Sequence, residues 1–128
     1  SVVYKAGFIF DNRENNDSAI KSMNYLIEDI KKIPRSVGIF PEGTRTKDGN
    51  LLEFKKGTAI FGIDTKIPIV PIAISGSYNW SQKKIFDLSK SVITFEFSEP
   101  IITENLAYDD RDRLTEQIKA SIEQKKID

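Results

Sequence analysis

The sequence predicts an α/β fold, a mainly parallel sheet flanked by helices, in a single domain over residues 1–128. Three observations predict it. Short apolar runs at 7–10, 37–40 and 67–74 have the length and composition of strands. Segments with helical apolar spacing lie between them, so each strand-helix-strand passage reads as a βαβ unit. With 39% hydrophobic and 30% charged residues, the composition is that of a folded globular chain rather than a disordered one.

Gly7-Phe8-Ile9-Phe10 reads as the first strand, ending in the polar Asp11-Asn12-Arg13. Asn15, Asn16, Asp17 and Ser18 are N-cap candidates for a helix whose stripe is Ala19, Ile20, Met23, Leu26, Ile27, Ile30 and Ile33, closed by Pro34. A strand is expected at Val37 to Phe40, then the loop Phe40-Pro41-Glu42-Gly43-Thr44-Arg45-Thr46 and a turn at Asp48-Gly49-Asn50. Gly57 to Lys66 reads as a shorter helix with Ala59, Ile60 and Ile63 inward. The run 67–74 suits a strand buried on both faces, but Pro68 and Pro71 each remove a ladder donor and restrict its core to Val70–Ile74. Residues 75–81 read as a polar loop. Val92 to Phe97 alternates as a half-exposed edge strand, and a last helix starts at Asp109-Asp110 with Leu114, Ile118 and Ile122 in its stripe.

Net charge is zero, from 19 basic and 19 acidic residues, so no global field recruits nucleic acid and any anion site is local. Cysteine and histidine are both absent. Their absence excludes disulfides, thiolate metal sites and the Ser-His or Cys-His pairs of nucleophilic catalysis within this chain. No apolar segment approaches the roughly 18 residues of a membrane-crossing helix. Ser1-Val2-Val3-Tyr4 opens directly on apolar residues, which reads as a chain cut inside a larger protein, with Ser1 a cloning remnant.

In parallel α/β sheets ligands bind beyond the carboxyl ends of the strands. Arg13 and the 40–46 loop both follow strands and are expected on one rim. Gly43 permits positive φ and close backbone approach, Arg45 and Arg13 can fork a phosphate, and Thr44 and Thr46 add hydroxyls. Lys55 and Lys56 stand at the start of the second helix, whose free N–H groups favour an anion. Together they compose a phosphate cradle. The plainer alternative is a turn with Glu42 paired to Arg45, a solvated Arg13 and a solvated helix start. Glu42 beside two arginines is a poor base and reads instead as an acceptor for a substrate hydroxyl or the loop backbone.

These residues resemble the glycerolipid acyltransferases, in particular the 1-acylglycerol-3-phosphate acyltransferases. The resemblance rests on Phe40-Pro41-Glu42-Gly43-Thr44-Arg45-Thr46, on Gly7-Phe8-Ile9-Phe10-Asp11-Asn12-Arg13, on Ile69-Val70-Pro71-Ile72-Ala73-Ile74 and on Phe54-Lys55-Lys56-Gly57. It runs from about residue 7 to 76, and the last third adds nothing specific. It implies acyl transfer from an acyl-coenzyme A or acyl carrier protein thioester to a hydroxyl of glycerol phosphate or a lysophosphatidic-acid-like acceptor, with no other cofactor and no metal. It implies that Arg13, Glu42, Gly43 and Arg45 hold the acceptor; Thr44, Lys55 and Lys56 belong to the cradle on the chemistry of the residues alone. The family's histidine–aspartate block, which takes the proton from the acceptor, has no counterpart in a chain without histidine.

The resemblance therefore implies a truncated acyltransferase domain, the acceptor-phosphate-binding half, inactive alone, from a parent protein at the cytoplasmic side of a membrane. The fragment itself is expected to be soluble, and Val2, Val3 and Tyr4 could pack against a second copy. Phe8, Phe10, Tyr78 and Trp80 are candidates for acyl-chain contact, and Trp80 with Lys83 and Lys84 for a membrane interface. The alternatives are a non-catalytic phosphate or lipid-headgroup module, and a phosphate-ester hydrolase working through carboxylates and Mg²⁺.

Overall fold

The computed structural model describes residues 16–41, 53–76 and 92–127. Helix α1 spans Asn16–Lys32, α2 Gly57–Thr65 and α3 Arg111–Lys125, with a 3-10 turn at Tyr108–Asp110 leading into α3. Strands β1, Ile72–Ser75, and β2, Thr94–Phe97, form one antiparallel pair.

α2 is the centre of the packing. On one side Ala59 and Ile63 join Phe54, Ala73, Leu114, Ile118 and Ile122 in a core between α2, β1 and α3. On the other, Phe61 joins Leu26, Ile27 and Ile30 of α1, with Met23, Val37, Ile39 and Ile67 packed around them. A helix that feeds two clusters is held from both sides. At its C-terminal end the chain turns through Lys66 in the left-handed region (φ 57°). In α3 the Leu114, Ile118 and Ile122 stripe is buried as the spacing predicts, and Leu114 is 1% exposed. Burying a leucine of this kind stabilises the fold by about 1.5–3 kcal/mol.

The α1 stripe is narrower than expected. Leu26, Ile27 and Ile30 are buried, but Ile20 and Ile33 are 59% and 57% exposed. The Ala19 side chain lies outside the description. The cause is length: the nine residues of α2 make a partner about 13 Å long, against about 25 Å for the 17 of α1. The middle turns of α1 are covered and its ends overhang. α1 stops at Lys32, before Pro34, as the sequence predicts.

The sheet corrects a larger expectation, because a mainly parallel sheet is not shown. Among the described residues the ladder is β1 against β2, with Ile72 opposite Phe97, Ala73 opposite Glu96, Ile74 opposite Phe95 and Ser75 opposite Thr94. An isolated antiparallel bridge joins Ile69 to Ile101, and the Ser98 N–H donates to the Pro71 carbonyl at 2.9 Å. The prolines act as foreseen, since Pro71 serves as an acceptor and regular pairing begins after it.

Val37 to Phe40, expected as a strand, joins no ladder among the described residues. Val37 and Ile39 pack on the α1–α2 cluster instead. The expected first strand, 7–10, lies outside the described residues. β1 is also buried on one face rather than two. Ala73 and Ser75 are 1% and 5% exposed, while Ile72, Phe95 and Phe97 share the opposite, open face. β2 is shorter and more open than the half-exposed edge expected over Val92 to Phe97: Phe95, Glu96 and Phe97 are all exposed, so neither face of the strand is covered.

Small polar contacts lock the frame. Buried Thr103 donates its hydroxyl to the Ile67 carbonyl at 2.9 Å, and Ser75 Oγ accepts the Ile127 N–H at 2.9 Å. Gly76, directly after β1, has φ 87°, and a Cβ there would collide with the Val92 carbonyl oxygen. Only glycine fits that turn without strain. No helix among the described residues is long and apolar enough to cross a membrane.

Candidate functional site

The expected cradle is described at one end. The Lys55 N–H donates to the Pro41 carbonyl at 2.8 Å. This bond ties the start of the 40–46 loop to the residue preceding the first turn of α2, so Lys55 and Lys56 stand at the foot of that loop. Phe54 beside them is buried in the larger core and fixes the backbone there. Arg13, Glu42, Gly43, Thr44 and Arg45 lie outside the described residues, as do Thr46 and the aromatic candidates Phe8, Phe10, Tyr78 and Trp80. Lys83, Lys84 and the Val2-Val3-Tyr4 segment lie outside them too.

Three features of this foot bear on the anion site expected there. Lys56 occupies the N-cap position of α2 without a side-chain cap, and the first turn contains no acidic residue. The first intrahelical bond runs from Ile60 N–H to the Lys56 carbonyl at 3.0 Å, so the amides preceding Ile60 are not held by the helix ladder. Unpaired amides and the helix dipole place partial positive charge where the two lysines add whole charges. Among the described residues, the Lys55 ammonium has no ion-pair partner, whereas that of Lys56 does.

That partner is Asp112. Lys56 Nζ lies 2.7 Å from Asp112 Oδ1, with both side chains more than half exposed. The hydrogen bond from Lys56 holds the Asp112 carboxyl below its ordinary value of 3.8; slight desolvation opposes this, and the charges of Lys56 and Arg111 add to the lowering. Asp112 belongs to the first turn of α3, so its charge also faces the positive end of its own helix.

Sequence reading missed Asp112. Its signal was an acidic residue just past a helix start, which reads as dipole compensation. Nothing along the chain ties it to Lys56. Its neighbours are otherwise engaged: Asp110 accepts from the Ala107 N–H at 2.8 Å and pairs with Arg113 at 2.9 Å, and the Arg111 guanidinium stacks 4.1 Å from the Tyr108 ring centre.

Two further features bound the chemistry. Among the described residues no group of three His, Cys, Asp or Glu side chains could hold a metal ion. A cavity of about 550 Å³ lies between residues 97–102 and α3, lined by Phe97, Ile101, Leu106, Arg113 and Gln117 among others, and neither Lys55 nor Lys56 borders it. Ser75, expected at the start of a polar loop, is instead the buried last residue of β1 and accepts a backbone N–H.

Comparison with known proteins agrees with the motifs. The family model described as Acyltransferase matches residues 1–75. The chain is 34% identical over 108 residues to a 1-acyl-sn-glycerol-3-phosphate acyltransferase of Cocos nucifera, covering 84% of this chain and 35% of that protein. It is 33% identical over 116 residues to the protein of the same name from Saccharomyces cerevisiae, covering 89% and 38%. To the alpha form from Homo sapiens it is 31% identical over 117 residues, covering 91% and 41%. The chain thus spans 35% to 41% of the length of these relatives. The crystal structure of the 1-acyl-sn-glycerophosphate (LPA) acyltransferase PlsC from Thermotoga maritima superposes with a TM-score of 0.61 at 24% identity, over 85% of this chain and 47% of that one. At that identity it speaks for the fold.

Proposed function

The chain belongs to the acyltransferase family, and on that premise we propose that it supplies the acceptor-phosphate-binding part of an enzyme that acylates a glycerol-phosphate or lysophospholipid hydroxyl from an acyl thioester. The observation that carries this reading is the Lys55 to Pro41 hydrogen bond, which sets two lysines and an uncapped helix start at the foot of the FPEGTRT motif. The names of the relatives support the acceptor class.

In the proposed reaction the acceptor hydroxyl attacks the thioester carbonyl, the tetrahedral intermediate expels the thiol, and the hydroxyl proton passes to a base. The phosphate-binding residues contribute position: anchoring one end of the acceptor lowers the entropic cost of bringing hydroxyl and carbonyl together. Lys55 and Lys56 hold the phosphate with the α2 amides, and Arg13, Glu42, Gly43, Thr44 and Arg45 complete the grip on the acceptor. No histidine is available in this chain to accept the proton. These residues alone therefore bind without turning over, and the base comes from another part of the protein. An amphipathic lysophospholipid acceptor and an acyl donor support a membrane-surface location for that protein, and its cytoplasmic side is part of the proposal.

The test is titration of the chain with glycerol 3-phosphate. The amides of Lys56, Gly57 and Thr58 shift saturably, Lys56→Ala weakens binding, and an acyl-coenzyme A mixture shows no transfer and no thioester hydrolysis. Shifts confined to residues remote from α2 overturn the binding site, and turnover by this chain overturns the division of labour. Binding with no gain of acyl transfer when the chain is joined to a histidine–aspartate segment favours a headgroup-binding module instead.

A further inference from the structure

We infer that Asp112 is the resident counter-anion of the phosphate site: it holds the Lys56 ammonium when the site is empty, is displaced from it by the acceptor phosphate, and lowers the site's affinity for phosphate. This rests on Lys56 being a phosphate ligand. Lys56 Nζ lies 2.7 Å from Asp112 Oδ1 where the first turns of α2 and α3 converge. Asp112 lies beyond residue 75, where the family match ends, so the match itself gives it no role.

The contact is a reversible restraint rather than a structural tie. Both side chains are more than half exposed, so water and ligand reach the pair and its strength is that of a surface ion pair. Asp112 also has a second partner in the positive end of α3, so its carboxylate stays stabilised when Lys56 swings to a ligand. The phosphate ester is close to a dianion at neutral pH and competes for Lys56 with more charge than a carboxylate has. If the carboxylate remains nearby, it repels that dianion. Displaced or merely tolerated, Asp112 subtracts from phosphate affinity, whereas Lys55, with no ion-pair partner among the described residues, does not suffer this competition.

Inorganic phosphate is the probe, titrated into the 128-residue chain and followed at the amides of Lys56, Gly57 and Thr58. Asp112→Asn keeps side-chain size and an acceptor for the α3 start, and is expected to tighten Kd by about two- to fivefold, the range of a surface ion pair. It also steepens the loss of binding with salt, because one more unscreened positive charge faces the ligand. Asp112→Glu keeps the charge and retains the wild-type Kd within twofold. Lys56→Ala weakens binding, and in that background Asp112→Asn gains less than it does alone. An unchanged or weaker Kd for Asp112→Asn, with Lys56→Ala still weakening binding, overturns the counter-anion while leaving Lys56 as a ligand. A wild-type Kd for Lys56→Ala overturns the ligand role of Lys56 and the inference with it.

Discussion

The Lys55 amide and the Pro41 carbonyl, 2.8 Å apart, close the loop that carries the motif onto the start of α2. The bond uses backbone atoms, so it leaves the lysine side chain uncommitted among the described residues while the amide holds the scaffold. Lys55→Pro removes the donor and Lys55→Ala removes only the charge. Lys55→Pro is expected to cost about 1 kcal/mol of stability, the net worth of one such bond. It is also expected to weaken phosphate binding more than Lys55→Ala does, read by urea denaturation and amide titration. Equal binding losses for the two variants would show that the charge acts alone and the tether does nothing for the site.

Thr103 offers a test of the frame behind the site. Its side chain is fully buried and its hydroxyl donates to the Ile67 carbonyl in the turn that follows α2. Thr103→Val preserves shape and removes the donor, leaving the partly buried Ile67 carbonyl short of its partner. The expected loss is about 1–3 kcal/mol, seen as a lower urea midpoint at unchanged slope. Thr103→Ser, which keeps the hydroxyl, should lose less. A Thr103→Val protein as stable as the wild type would mean that water replaces the hydroxyl.

What the sequence made legible follows from the range of the forces involved. Leu114, Ile118 and Ile122 recur at helical spacing and bury one face of α3, and Ala59 and Ile63 do the same in α2, where Phe61 rather than the expected Ile60 is the further buried side chain. These patterns are local, so periodicity reads them. The alternation of Thr94 to Phe97 likewise announced β2. Reading failed where the outcome depends on partners. Ile20 and Ile33 belong to an apolar stripe, yet the short α2 leaves them uncovered. Val37 to Phe40 has strand composition, but Val37 and Ile39 settle on α1 and α2 and Phe40 stays exposed, without a ladder neighbour among the described residues. Of the site, the sequence indicated Lys55 and Lys56 through the motif and the helix start. It gave no hint of Asp112, which pairs with Lys56 only through the packing of α2 on α3.

Gly62 tests how tightly α2 is seated. A Cβ on Gly62 would stand 2.6 Å from Ile69 Cδ1, 3.0 Å from Ile69 Cγ1 and 3.3 Å from Thr103 Cγ2. Alanine gains up to about 1 kcal/mol of helix propensity over glycine, but overpacking costs typically about 1–3 kcal/mol. Gly62→Ala is therefore expected to destabilise by about 1 kcal/mol. Ile69→Val deletes the atom in closest conflict and alone costs about 0.5–1.5 kcal/mol. The double variant should be more stable than the sum of the two by at least about 0.5 kcal/mol. Strict additivity in urea denaturation would mean that Ile69 already turns away from Gly62.

The acid response of α3 follows from Asp110. Its carboxylate accepts the Ala107 N–H at 2.8 Å and the Arg113 guanidinium at 2.9 Å. These bonds, the backbone one foremost, hold its pKa below the ordinary 3.8. A lowered folded-state value means that the unfolded chain takes up the proton first as pH falls. The stabilisation is therefore complete above the unfolded value of 3.8 and is lost as pH drops through the lower folded value. The difference in Tm between wild type and Asp110→Asn should thus be constant from neutral pH down to about pH 4 and shrink below it. Asp112, also lowered, behaves alike in the wild type, so Asp112→Asn shows the same window. A difference that closes between pH 5 and 7 would need a group titrating there, and neither carboxylate does. Such a result would refute the assignment of the acid transition to the start of α3.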